Sequence, residues 1–222
     1  MIKLQTIGRK FLNEQRNSLS HKRKLIFEQS LQGKTIINVD IQPEYESGIN
    51  FLPEWVNFIN QNNQSNTIVF LYNGHDTLGM TTEENFRYWL YDQGINEDVI
   101  DNAIFYDKGY AFFSYCIDSG IDHDNIVDIV KFMSNHNITD SREINEDMWN
   151  QYMEETNHDQ DDVRDLLENA GDCIAIPDLM DELSRYNNIV VTGGGINECL
   201  KEVEIALMAN GQKYNILHDF TY

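Results

Sequence analysis

Apolar and polar positions follow two alternating rhythms along the chain. Short, nearly continuous runs of β-branched, aliphatic and aromatic residues occur at 34–41 (Lys-Thr-Ile-Ile-Asn-Val-Asp-Ile), 66–72 (Asn-Thr-Ile-Val-Phe-Leu-Tyr), 103–106 (Ala-Ile-Phe-Tyr), 189–191 (Ile-Val-Val) and 214–218 (Tyr-Asn-Ile-Leu-His). Runs of this length without strict alternation are the pattern of strands buried on both faces, as in a parallel sheet. Between them, apolar residues recur at helical spacing over 52–62, 82 to about 93, 177–186 and 198–210. Pro53 stands in the first turn of the first of these, where its missing N–H is not needed. Thr82 ahead of Glu83-Glu84 opens the second, and Gly94 stops it. Strand and helix alternating at this spacing predict βαβ units. The fold class is therefore α/β: three layers, α/β/α, around a mostly parallel, doubly wound sheet of about five strands.

Two segments depart from that rhythm. Residues 1–34 read as a helical leader, with Leu4, Ile7, Phe11, Leu12, Leu19, Leu25, Ile26 and Leu31 as its apolar positions. Over 119–170 no strand candidate appears, and the pattern is of two or three acidic helices at about 122–136, 143–156 and 160–169. About fifty residues with few large apolar groups make a marginal core alone. The segment is expected to be a helical insertion or lid in a single α/β domain spanning 35–222.

Charge sharpens the division. The formal net charge is -21, yet the first 34 residues hold eight of the 16 Lys and Arg against only Glu14 and Glu28. The remainder carries 35 acidic and eight basic residues. A body this acidic repels nucleic acid and anionic membrane, so neither is an expected partner, and the acidity serves solubility. Cys116, Cys173 and Cys199 are far apart and odd in number, which excludes a CxxC site and argues against a disulfide framework. No apolar run approaches the length that spans a bilayer, and the N-terminus lacks a secretory apolar core, so a cytoplasmic protein is expected.

The chemistry concentrates at strand ends. Residues 188–200, Asn-Ile-Val-Val-Thr-Gly-Gly-Gly-Ile-Asn-Glu-Cys-Leu, read as a buried strand, a glycine turn and a helix whose first turn carries Cys199. The positive end of a helix dipole favours thiolate there, the position of a nucleophile; inert buried cysteines also occupy helix starts. Asp40 ends the first strand run and Lys108 follows the third, and in a doubly wound sheet ligands bind beyond the carboxyl ends of strands. Singly, Asp40 also suits a turn cap and Lys108 a solvated loop. Together the three can divide an amide hydrolysis. Lys108 would steady the Cys199 thiolate, Asp40 would carry the proton, and N–H groups of Gly194, Gly195 and Cys199 would hold the oxyanion. Tyr45, Phe112 and Phe113 are candidates to wall a planar substrate, or else pack the sheet. Cys116 and Cys173 read as core.

These residues carry a resemblance. Asp40-Ile-Gln-Pro-Glu-Tyr45, Lys108-Gly-Tyr-Ala-Phe-Phe113 and Val191-Thr-Gly-Gly-Gly-Ile-Asn-Glu-Cys-Leu200 resemble, in order and placement, the three motifs of the isochorismatase-like cysteine hydrolases (the nicotinamidase/isochorismatase superfamily), with Ile196 where that family has Thr. The likeness covers about 35–115 and 174–222. It implies an Asp40, Lys108, Cys199 triad, a thioester intermediate, hydrolysis of small amide, carbamoyl or ureido compounds, and a cis peptide bond at Gly194-Gly195. Nicotinamidases of the family hold a metal with an Asp-x-His pair and a further His. Asn73-Gly-His75-Asp76 departs from that pattern, so His75 is a weak candidate ligand and no metal or other cofactor is predicted. Relatives continue past the last strand run with another helix and strand, which predicts a shorter sheet with an edge for the leader or a second subunit to cover. The expected function is a cysteine hydrolase acting on a small-molecule C–N bond, possible homo-oligomer included. The alternative is an inactive scaffold of the same fold serving as an interaction protein.

Overall fold

The computed structural model describes residues 31–74, 82–108, 123–138, 144–156, 176–196 and 198–222. Five strands form one sheet: β1 (Thr35–Val39), β2 (Thr67–Tyr72), β3 (Ile104–Asp107), β4 (Ile189–Gly193) and β5 (Tyr214–Ile216). All pairs are parallel and the order is β3-β2-β1-β4-β5. The three central strands are buried almost throughout, which is why their sequences are continuously apolar. The edge strands β3 and β5 are half exposed and correspondingly mixed.

Seven α-helices accompany them among the described residues. They are α1 (Leu52–Asn62), α2 (Glu83–Asp92), α3 (Glu97–Asn102), α4 (His123–Asn135), α5 (Glu146–Thr156), α6 (Ile176–Ser184) and α7 (Cys199–Ala209). Side chains alternate across a strand, and the register sorts them. Ile36, Ile68, Phe70 and Val190 face a core shared with α1, α2 and α3. Ile37, Val39, Val69, Leu71, Ile189 and Val191 face the other, shared with α4 to α7. The three-layer, doubly wound expectation therefore holds, down to the strand number. Thr82 caps α2 by accepting from the Asn85 N–H at 3.2 Å. None of the described helices is long and apolar enough to cross a membrane.

The acidic segment, expected as a helical insertion or lid, packs its described helices into the core. Ile126, Val127, Ile129, Val130, Phe132 and Met133 of α4 are buried in the sheet-facing core, against α6 and α7. Trp149 and Tyr152 of α5 extend the same cluster. The acidic residues decorate a structural layer of the domain, and their number masks an amphipathic stripe. The third helix expected at 160–169 and the leader up to residue 30 lie outside the described residues; Leu31 is buried against the α1 face.

One polar residue sits inside this apolar sheet. Asn38 of β1 donates to the Val69 carbonyl at 3.0 Å and accepts from Trp55 Nε1 of α1 at 2.9 Å and Thr192 Oγ1 of β4 at 2.8 Å. It ties β1, β2, β4 and α1 together at their common centre. Asn38→Ala would leave the indole N–H and the threonine hydroxyl buried without this acceptor. A loss of about 2–3 kcal/mol in urea unfolding is expected.

Candidate active site

The order β3-β2-β1-β4-β5 reverses direction between β1 and β4, the switch point beyond whose strand ends doubly wound sheets bind ligands. Asp40 follows β1 directly and the glycine turn follows β4, so both line the switch point. Asp40 adopts a φ of 47°, a left-handed conformation uncommon outside glycine. Its N–H remains bonded to the Leu71 carbonyl at 2.9 Å, which fixes the bend. Strain held in this way by surrounding structure is often found at functional positions.

Lys108 arrives from the far edge. Its N–H bonds the Tyr72 carbonyl at 2.9 Å, continuing the β2–β3 pairing, and its side chain must cross the end of β2 to reach β1. Two strand spacings are about 9–10 Å, a span that suits the long lysine stem. Its Nζ lies 2.9 Å from Asp40 Oδ2, with both residues buried, at 6% and 0% exposure. Neither Asp40 oxygen receives a well-formed hydrogen bond from a backbone N–H among the described residues, so the ammonium is what balances its charge.

Cys199 is the first residue of α7 and is partly buried beside this pair. The Asp40 carboxylate is close enough to act on its thiol, though neither Asp40 oxygen has a hydrogen-bond partner among the described residues. Burial, then the Asp40 charge, push the thiol well above its ordinary pKa, and Lys108 only partly offsets them. This balance favours the protonated thiol at rest. This corrects the expectation of a resting thiolate, which considered the helix dipole without the desolvation and the adjacent carboxylate. Lys108 is displaced in the sense its partners dictate. Burial alone would lower it, and the Asp40 and Glu202 carboxylates outweigh burial, so it stays an ammonium beyond the usual lysine range.

The turn between β4 and α7 is shaped by glycine. Gly193 has φ 80° and Gly194 φ 64°; a Cβ on Gly193 would stand 2.2 Å from the Val39 carbonyl oxygen, and one on Gly194 2.8 Å from the Leu200 nitrogen. The Gly194-Gly195 peptide is trans, which corrects the cis bond implied by the resemblance. Two successive left-handed glycines supply the reversal that a cis bond would otherwise make. Within the turn, Ile196 N–H donates to the Tyr222 carbonyl, and Glu198 and Leu200 N–H donate to Gly195 O. The Gly195 and Cys199 N–H groups are directed to no partner among the described residues, and α7 has no side-chain cap. They are the available oxyanion donors.

Three residues at the site had no assigned role in the sequence. Glu202, one turn along α7 from Cys199, is 2% exposed with Oε2 3.4 Å from Lys108 Nζ. Gln42, also buried, accepts from the Asn73 N–H at 2.9 Å and donates to the Asn73 carbonyl at 3.3 Å, clamping the loops after β1 and β2. Tyr222 donates its hydroxyl to the Asp40 carbonyl at 3.1 Å. The Asp-x-Gln spacing could have flagged Gln42, and the i,i+3 relation to Cys199 could have flagged Glu202.

The other candidates divide. Tyr45 is half-buried against the core shared with α1. Phe112, Phe113 and His75, with Cys116 and Cys173, lie outside the described residues. Among the described residues no group of three or more His, Cys, Asp and Glu is arranged to hold a metal ion. The whole chain matches no family model, no curated protein and no solved structure, so its chemistry is read from this constellation alone.

Proposed function

We propose that the protein is a cysteine hydrolase of the isochorismatase-like type, cleaving the C–N bond of a small amide, carbamoyl or ureido compound. The observation that carries this reading is the convergence of Asp40, Lys108 and Cys199 from three separate elements on one buried cluster at the switch point. A buried ion pair is costly to maintain for stability alone, and a carboxylate beside a thiol has an immediate chemical use.

In the proposed cycle the Cys199 sulfur attacks the substrate carbonyl carbon as its proton passes to Asp40. Gly195 and Cys199 N–H groups hold the resulting oxyanion. Collapse breaks the C–N bond, the leaving nitrogen takes the proton from Asp40, and an acyl thioester remains on Cys199. Water then gives a proton to Asp40 and attacks the thioester; the acid product leaves, and the sulfur recovers the proton. Lys108 stays an ammonium throughout and steadies the negative charge as it moves from carboxylate to sulfur. The cycle uses no cofactor, a small-molecule substrate and a cytoplasmic setting.

A second reading, a scaffold with this fold and no turnover, draws on the neutral thiol of Cys199. A panel of small amides separates the two. Ammonia or amine release, together with a mass increase confined to the Cys199 peptide during turnover, is expected. A panel without release or adduct, in a protein whose Cys199 also resists alkylation, would favour the scaffold.

A further inference from the structure

The peptides on either side of Gly195 are both tied to one residue, Tyr222. The Tyr222 N–H donates to the Gly194 carbonyl at 3.2 Å, and the Ile196 N–H donates to the Tyr222 carbonyl at 2.9 Å. The Gly194-Gly195 peptide is planar and trans, so its carbonyl and its N–H point in opposite directions. With the Gly194 carbonyl drawn toward Tyr222, the Gly195 N–H has to point away from it. The next peptide is fixed at both ends. Gly195 O accepts from the Glu198 and Leu200 N–H groups at 3.0 and 3.2 Å, while the Ile196 N–H faces Tyr222.

The first of these peptides needs holding. Glycine on both sides leaves the two torsions flanking it without Cβ restraint, so its plane can turn over at little cost. Turned over, it would present a carbonyl oxygen where an oxyanion donor is needed, and would repel the charge it should receive. Tyr222 is anchored well enough to prevent this. Its hydroxyl donates to the Asp40 carbonyl at 3.1 Å, and its ring lies 6.5 Å from that of Phe51. Just before it, Phe220 packs on Phe51 and Phe58 with ring centres 5.9 and 4.9 Å away. The Leu217 N–H continues the β4–β5 pairing by donating to the Val191 carbonyl at 3.0 Å.

We propose that Tyr222 positions the oxyanion donor: its backbone N–H and carbonyl keep the Gly195 N–H turned outward, ready for the oxygen of a tetrahedral adduct on Cys199. The inference rests on the hydrolase reading and adds a positioning residue to it. The role belongs to the main chain of residue 222. Another side chain there can preserve it, whereas proline, which has no N–H, cannot.

Propionaldehyde tests this in the full chain without knowledge of the substrate. The Cys199 sulfur bonds the aldehyde carbon and the thiol proton passes to the aldehyde oxygen, giving a reversible hemithioacetal whose oxygen takes the oxyanion position. Protection of Cys199 from iodoacetamide measures that adduct. Iodoacetamide itself reacts by displacement at a saturated carbon, so its rate alone reports the sulfur without an oxyanion. Tyr222→Pro deletes the N–H on Gly194, and Tyr222→Ala loses the same ring but keeps that N–H. The proline variant is expected to be protected about tenfold more weakly than the alanine variant, with alkylation rates that agree within about twofold. Tyr222→Phe is expected to keep wild-type protection. Equal protection in the proline and alanine variants overturns the proposal, as does a Tyr222→Phe as weak as Tyr222→Pro, which would assign the effect to the hydroxyl. Amide hydrogen exchange followed by NMR needs no variant. Exchange is expected to be slow at Ile196 and Tyr222 and fast at Gly195, slowing at Gly195 when propionaldehyde is added; an aldehyde that protects Cys199 and leaves Gly195 exchange unchanged overturns the proposal. A wild-type Cys199 that propionaldehyde does not protect, or that iodoacetamide never modifies, would overturn the hydrolase reading and this role with it. Protection that Tyr222→Pro leaves intact overturns the role of Tyr222 alone.

Discussion

Lys108→Met is expected to destabilise the domain by about 3–5 kcal/mol, more than any other substitution at the site. Methionine matches the stem in length and apolar character, so the loss isolates the charge. Asp40 and Glu202 would then face each other in a buried space without the ammonium that lies 2.9 Å from one and 3.4 Å from the other. Removing one partner of a buried ion pair is costly because the remaining charge has lost both its water and its counterion. Adding Glu202→Gln to Lys108→Met should recover part of the loss by removing one of the stranded carboxylates, a coupling that a double-mutant cycle measures in urea. Additive costs would mean that the two residues do not interact, and the charge cluster would have to be discarded.

The same pair sets an alkaline limit. Lys108 holds its proton more tightly folded than unfolded, so its contribution is complete below the unfolded value of about 10.4 and is lost as pH rises through the higher folded value. A wild type that loses stability above about pH 10 more steeply than Lys108→Met is the expected comparison.

Much of this architecture is legible in the sequence, for identifiable reasons. β1, β2 and β4 are buried on both faces, so Ile36-Ile37, Ile68-Val69-Phe70-Leu71 and Ile189-Val190-Val191 carry an unambiguous signal. Asp40, Lys108 and Cys199 are predictable as neighbours because strand-end position alone brings them to one crevice. The six-residue α3 escapes notice because fewer than two turns show no period. The place of α4 in the core is hidden by the surrounding acids. Glu202 is missed because a glutamate on a helix is ordinarily a solvated residue, and only the three-dimensional approach of Lys108 marks it as buried. The protonation of Cys199 depends on desolvation, which no local pattern encodes. A helix start is visible in sequence; the depth at which it lies is not.

Cys199→Ala is expected to lower kcat/KM on any amide that the panel identifies by roughly 10⁴-fold or more, while leaving stability near neutral pH within about 1 kcal/mol. The contrast with Lys108→Met is the point: alanine removes the bond-forming atom yet strands no charge, since the resting sulfur is neutral. A variant that kept more than about one hundredth of the activity would exclude sulfur as the nucleophile. The neutral thiol also predicts how reactivity follows pH. Because burial and Asp40 raise the thiol pKa, iodoacetamide alkylation of wild-type Cys199 should climb about tenfold per pH unit through pH 8–9 without levelling. A resting thiolate would instead give a rate already flat at neutral pH. Stability obeys the same linkage. The unfolded thiol ionises near pH 8.5 while the folded one retains its proton, so the unfolded chain gains as pH rises above that value, by at most about 1.4 kcal/mol per unit. The difference in unfolding free energy between wild type and Cys199→Ala should therefore shift against the wild type as pH rises from about 8.5. If alkylation levels off below pH 8 and this difference stays constant, Cys199 rests as a thiolate. Asp40 then has no proton to take from it, and the proton transfer that begins the proposed cycle does not occur.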